Sequence, residues 1–259
     1  MMREITWAAN LPAEWTHASL RVLADIYAGG TPDKSQLEFW VGGTDPWLNS
    51  GSVNNRTITE PSAWITEAAY ASSSAQWIPP QSVVIALAGQ GKTKVLAARL
   101  KFRITANQSM AAIVPGPKLE YRFLQYWLTS NCQNIRNMAG GDKRDGLNLM
   151  HIGSIQCPLP SFTVQQRIAD YLDREIGEID MMIAKMDELA GPLEERRATA
   201  VKSEGYWKEE HPEGLRNPVP DQSTSASMES RTRAIETHVP VRHPRCGLLA
   251  ASFIGHPAF

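Results

Sequence analysis

"VVIALAGQGKTKVLAARLKFRI", residues 83–104, admits two folds. Its first half is an apolar, β-branched run ending in Gly-x-Gly-Lys-Thr, as do the strand and phosphate loop of a nucleotide hydrolase. That loop requires Gly-x-x-x-x-Gly-Lys-Ser/Thr, because the first glycine makes the turn that lets successive backbone N–H groups surround the phosphates. The position that glycine would take holds Ala86, inside the apolar run. After Thr93, "KVLAARLKFRI" (94–104) alternates apolar and polar residues as a strand does, where a phosphate loop would open a helix facing the anion. The stretch therefore predicts two strands joined by a turn, with Gly89 and Gly91 supplying positive φ. Lys92 and Lys94 are either solvated at that turn or face an external anion.

On either side of it, residues 1–160 are rich in Gly, Pro, Trp and short β-branched runs such as "MAAIVP" (110–115). Turn clusters such as "AGGTPD" (28–33) and "NSGSVNN" (49–55) separate them. A helix is expected at "LEYRFLQYWLTSNCQNIRNM" (119–138), where Leu119, Phe123, Trp127 or Leu128, and Ile135 recur at helical spacing. Trp40, Trp47, Trp64, Trp77 and Trp127 read as core packing, although each ring is also suited to stacking on bases.

At Thr163 the periodicity changes. Leu172, Ile176, Ile179, Ile183, Met186, Ala190 and Leu193 form an alternating 4,3 series, with acidic and basic residues on the other faces. This predicts a long helix of coiled-coil type whose narrow seam meets another helix. Thr163 and Gln166 form a candidate capping box, and Gly191-Pro192 is expected to kink or restart the helix, since an internal proline removes a backbone hydrogen bond. From about residue 204, Pro, Ser, Arg and His gather without a sustained period, and an irregular tail is expected.

The 259 residues carry a net charge of −1, but the charge is uneven. Residues 86–145 hold ten Lys/Arg against three Asp/Glu, whereas residues 1–85 hold four against eight. A polyanion would dock on the basic window. Lys92, Lys94, Lys143 and Arg144 are candidates for phosphate contact. Gln90, Thr93, Asn107 and Gln108 carry donors and acceptors suited to base edges, although Asn107 and Gln108 equally suit the pairing of buried backbone.

Enzymatic signatures are otherwise missing. There is no amino-methyltransferase motif, no nuclease carboxylate–lysine set, and His17 and His151 stand alone. His238, His243 and Cys246 lack the fourth ligand and the fold of a metal site, and no metal is expected. Cys132, Cys157 and Cys246 are too scattered for a zinc knuckle or a disulfide framework. With no run of about 20 apolar residues and no signal-peptide pattern at the start, a cytoplasmic protein without membrane contact is expected.

Several segments, taken in order, resemble the specificity subunits of type I restriction–modification systems. They are "LADIYAGGTPDKSQLEFWVGG" (23–43), "PWLNSGSV" (46–53), "SVVIALAGQGKTKVLAA" (82–98), "ITANQSMAAIVPGP" (104–117) and "LNLMHIGSIQCPLPSFTVQQRIADYLDREIGEID" (147–180). The Gly-Gly-Thr-Pro sequence and "PLPSFTVQQRIADYLD" (158–173) carry most of the specificity.

The resemblance implies an α+β fold, with a mixed α/β target recognition domain at 1–160 and a spacer and dimerisation helix at 161–203; the irregular tail expected at 204–259 matches nothing in the family pattern. It implies a non-catalytic subunit that reads one half of a bipartite site in double-stranded DNA. That subunit would position a modification (methyltransferase) subunit, joined by a restriction subunit. S-adenosylmethionine, ATP and Mg would then be bound by the partners and not by this chain. Full-length members hold two recognition domains apart on two antiparallel helices, whereas one of each fits here. Two expectations follow: a half-subunit that pairs with a second copy through Leu172, Ile176, Ile179, Ile183, Met186 and Leu193, or a truncated remnant that serves only as an assembly scaffold for the methyltransferase.

Overall fold

The computed structural model describes residues 11–12, 14–88, 95–138 and 146–210, the last ten by their backbone alone. In chain order the elements are β1 (Thr16–Ser19), α1 (Leu20–Leu23), β2 (Ala24–Ala28), β3 (Asp45–Leu48), β4 (Thr57–Ile58), β5 (Ala63–Ile65), α2 (Glu67–Ala71), β6 (Val83–Ala86), β7 (Ala97–Leu100), β8 (Thr105–Ala106), β9 (Met110–Pro115), α3 (Tyr121–Ser130), α4 (Cys132–Asn137), α5 (Leu149–Ser154), β10 (Gln156–Leu159) and α6 (Phe162–Glu210). One compact unit takes in the described residues through Tyr171, and a second begins at Leu172.

The first unit is built on a five-stranded sheet in the order β2-β9-β6-β7-β4. Residues 83–86 are apolar without alternation because β6 lies in the middle, and Val83, Val84, Ile85 and Ala86 are all fully buried. β6 pairs antiparallel with β7, Val84 opposite Ala98, and with β9, Val84 opposite Ala112. This antiparallel pair is the arrangement that excludes a phosphate loop, in which a helix would follow the strand. Strand alternation sends Val84, Ala86, Ala98, Leu100, Met110 and Ala112 into one apolar cluster with Leu48, Ile58, Ile78 and Ile104. α3 packs against β7 and β6. A three-stranded sheet, β5-β3-β8, carries a smaller cluster of Phe39, Trp47, Ile65 and Ala69, and β1 pairs with β10.

The helix expected over 119–138 is two helices. Asn131 takes ψ 13, and its Nδ2 donates to the Trp127 carbonyl at 3.0 Å alongside its own backbone N–H at 3.1 Å, capping α3 where it ends. Cys157 is a free buried thiol, and Cys132 is also buried.

α6 departs from the sequence reading in three respects. Its first turn is capped by Ser161, whose Oγ accepts from the Val164 N–H at 3.4 Å, and Thr163 lies inside the helix. The helix runs on without a break through Pro192. A single proline forfeits one N–H bond and adds a local clash, costing about 3 kcal/mol, and well-disposed helical residues on both sides carry the helix past it. It also extends to Glu210, beyond the expected limit near 203, so that residues 204–210 are helical and not part of an irregular tail. Residues 211–259 lie outside the described residues.

Candidate nucleic-acid interface

Four segments converge at the end of the large sheet where β6 runs out. Pairing places Ala86 opposite Met110 and Ala28 opposite Ala111, so β2, β6 and β9 reach this end together. The Leu87 N–H donates to the Ser109 carbonyl at 2.9 Å, and the Leu147 N–H donates to the Leu87 carbonyl at 3.1 Å. The flanks of the segments 89–94 and 139–145, which carry the four phosphate-contact candidates, thus meet at Leu87, beside the turn 107–109. Gln90, Lys92, Thr93, Lys94, Lys143 and Arg144 themselves lie outside the described residues. So do Gly89 and Gly91. Just beyond them, buried Val95 takes a left-handed φ of 74°, and its N–H donates to the Ala86 carbonyl at 3.0 Å, closing the base of the loop.

The fourth segment is the Gly-Gly-Thr-Pro turn. The Gly29 N–H reaches the Met110 carbonyl at 3.2 Å, and the Gly30 N–H reaches that of Ala106 at 2.7 Å. A Cβ on Gly29 would lie 2.1 Å from the Ala106 oxygen, and one on Gly30 would lie 2.3 Å from the Ala75 nitrogen. Only glycine lets this turn lie flat on its neighbours. Buried Trp47 fixes it further, its Nε1 donating to the Gly30 carbonyl at 3.0 Å.

The two described base-reader candidates differ. Asn107 is half-buried and its Oδ1 accepts from the Ser109 N–H at 3.2 Å, so that oxygen shapes the turn. Gln108 is exposed, and its Oε1 accepts from the Thr31 hydroxyl. Nearby, the Ser35 N–H and hydroxyl both donate to Asp33 Oδ1, at 2.9 and 2.7 Å, and hold its carboxyl below the usual carboxylate range. Asp33 is therefore anionic at neutral pH.

The tryptophans do not all act as core. Trp47 and Trp127 are buried, but Trp64 is 50% exposed. Trp77 is half-buried, with the Arg103 guanidinium 3.9 Å above its ring and Tyr70 at 5.5 Å on a tilted plane. The sequence reading took Trp77 for packing and left Arg103 within the general basic window. Their meeting depends on the pairing of Ile78 with Ile104, which no local pattern signals.

His151 is the third residue of α5; its N–H and ring both bond Asn148, a reciprocal cap that accounts for it without chemistry. Among the described residues no group of His, Cys, Asp and Glu could hold a metal, and no helix is long and apolar enough to cross a membrane.

In the second unit, the predicted seam is largely open. Leu172 is buried within the chain and Ile176 is half-buried, whereas Ile179, Ile183, Met186 and Leu193 are 46, 50, 67 and 63% exposed. Leu172 is therefore the buried member of the series, and its exposed apolar members run from Ile179 to Leu193.

Residues 12–189 match the family described as Type I restriction modification DNA specificity domain. The chain is 30% identical over 164 residues to the type I restriction enzyme EcoR124I/EcoR124II specificity subunit of Escherichia coli, covering 62% of this chain and 40% of that protein. It is 24% identical over 168 residues to the MjaIX specificity subunit of Methanocaldococcus jannaschii, covering 63% and 38%. The fold matches the HsdS subunit from Thermoanaerobacter tengcongensis with a TM-score of 0.53 at 19% identity, covering 68% of this chain and 42% of that one. A structure from a study of complex assembly in a type I restriction–modification system aligns with a TM-score of 0.52 at 20% identity, covering 66% and 40%. The chain thus spans about two-fifths of the length of these relatives. The match of the family over most of the first unit and into α6 means that this chain belongs to the type I restriction modification DNA specificity domain family.

Proposed function

We propose that this chain reads one half of a bipartite site in double-stranded DNA and holds a methyltransferase subunit in place to modify it. The observation that carries the reading is the convergence at Leu87 and Ser109 of the segments bearing Lys92, Lys94, Lys143 and Arg144. The turn holding Gln108 stands beside the described flanks of those segments, which supports a base-reading role for it next to phosphate contacts. The chain carries out no catalytic step. S-adenosylmethionine, ATP and Mg are bound by the modification and restriction subunits with which it assembles, in the cytoplasm.

The second half of the site is read by a second copy. Between Ile176 and Leu193 the a positions are Ile176, Ile183 and Ala190, and the d positions Ile179, Met186 and Leu193. Pro192 falls at c, off the seam. Antiparallel pairing centred on this stretch sets g against g, placing Glu175 opposite Arg196 of the second copy and Met182 opposite Leu189. The e flank is uniformly acidic, with Asp173, Asp180, Asp187 and Glu194, so screening by salt favours the pair.

Reconstitution with the methyltransferase subunit, followed by mapping of methylated adenines, tests the whole reading: a palindromic bipartite pattern is expected, and absence of methylation overturns it. Joint replacement of Lys92, Lys94, Lys143 and Arg144 by Ala is expected to weaken DNA binding and to flatten its salt dependence by up to about 3.6 in log–log slope. An unchanged slope rejects those four as phosphate contacts.

A further inference from the structure

Beside the Gly-Gly-Thr-Pro turn is a second cationic feature, which the sequence motifs do not include. Residues 74–78 run alongside that turn: Ser74 and Ala75 meet the Gly30 backbone, and the Tyr27 hydroxyl donates to the Trp77 carbonyl at 2.9 Å. Burial, and then the charge of Asp25, raise the Tyr27 pKa, so it remains a donor throughout the working pH range. On the other side, Ile78 and Ile104 exchange backbone bonds at 2.8 and 3.1 Å. Trp77 is thereby held between β2, Tyr70 and the chain that leads into β8, and the Arg103 guanidinium carbon of that chain lies 3.9 Å from its ring centroid.

A guanidinium held over a ring in this way keeps its charge and its N–H donors while its position is restrained, which suits it to a forked contact with phosphate. Arg103 is exposed, and among the described residues no carboxylate is recorded in a salt bridge with it. Burial of its charge by an internal partner therefore does not account for the stacking. Five residues, ending in the 107–109 turn, separate it from Gln108, a span of at most about 17 Å, the rise of about five base pairs.

We propose that Arg103, held by Trp77, clamps a DNA backbone phosphate flanking the bases addressed from the Gln108 turn. The Trp77–Arg103 stack is then a DNA-positioning site additional to the basic loops. The proposal rests on the DNA-reading function proposed above.

The test is binding of a labelled mixed-sequence duplex by the full chain with its methyltransferase subunit, across a KCl series of about 50 to 200 mM. Arg103→Ala is expected to make the log–log salt slope shallower by about 0.9, the loss of one phosphate contact. Trp77→Ala keeps the charge but frees the guanidinium, and is expected to weaken binding about two- to fivefold with little change in slope. Trp77→Phe keeps a ring at that position and is expected to restore most of the affinity. If wild type binds and Arg103→Ala leaves the slope unchanged, the clamp is wrong while DNA reading stands. Relaxed preference at one base position with an unchanged slope would make Arg103 a base reader and also overturn the proposal. If wild type shows no salt-dependent binding, both readings fail. Unfolding midpoints of the three variants separate loss of contact from loss of structure, and a Trp77→Phe variant as stable as wild type yet no tighter in binding than Trp77→Ala also overturns the clamp.

Discussion

Gln165 shows how one residue makes a family motif necessary. It is fully buried; its Oε1 accepts from the Glu120 N–H at 2.9 Å, and its Nε2 donates to the Lys118 and Pro160 carbonyls at 3.0 Å each. It thereby ties the first turn of α6 to the start of α3, where Glu120 accepts from the Phe123 N–H at 2.7 Å and from Arg122 at 2.9 Å. Arg122 continues to Asp170 at 2.6 Å. Burial disfavours the Arg122 charge, but the hydrogen bonds to Glu120 and Asp170 outweigh it and raise the pKa. Gln165→Ala would leave an N–H and two carbonyls unpaired and is expected to destabilise the domain by about 3 kcal/mol. Exposed Gln166→Ala should stay within about 0.5 kcal/mol, so urea melts of the pair provide the check. The paired glutamines are visible in the sequence, but which of them is structural is not: one residue's rotation about the helix decides it, and only packing against α3 sets that rotation.

At the scale of elements, α6 was the most legible part of the chain. A 4,3 spacing of large apolar residues among charges has few other readings, and the structure contains the helix. Its ends and its proline were misread, because capping depends on which hydroxyl meets a free N–H, and continuity depends on the helical residues flanking Pro192. Placing an uncharged polar group in the seam tests the second-copy reading: Ile183→Asn should abolish self-association in sedimentation while leaving the first unit's unfolding transition in place. Glu175→Arg should weaken association and Glu175→Arg with Arg196→Glu should restore it; no recovery in the double variant rejects the antiparallel register. Added salt should strengthen self-association and weaken DNA binding, a divergence that separates the two surfaces in one titration.

For the whole molecule, the 49 residues of α6 correspond to about 74 Å of helix at 1.5 Å per residue. If that helix sets the distance between two reading heads, inserting one heptad in the stretch 183–190 adds about 10 Å while preserving the seam, and should widen the spacing between methylated half-sites by about three base pairs. Unaltered spacing on a methylation map would show that the helix is not the ruler. Much of this organisation is written in one dimension. The missing glycine at Ala86 and the alternation after Thr93 predict paired strands in place of a phosphate loop, and the heptad series predicts the long helix, because both depend on periodicity, which is local. The site itself is non-local. Leu87 meets Ser109 and Leu147, Gly30 lies on Ala75 and Ala106, and Arg103 finds Trp77, all through strand pairings between distant segments. Such pairings are chosen by how the two apolar clusters pack, a property of the closed fold and not of any window along the chain.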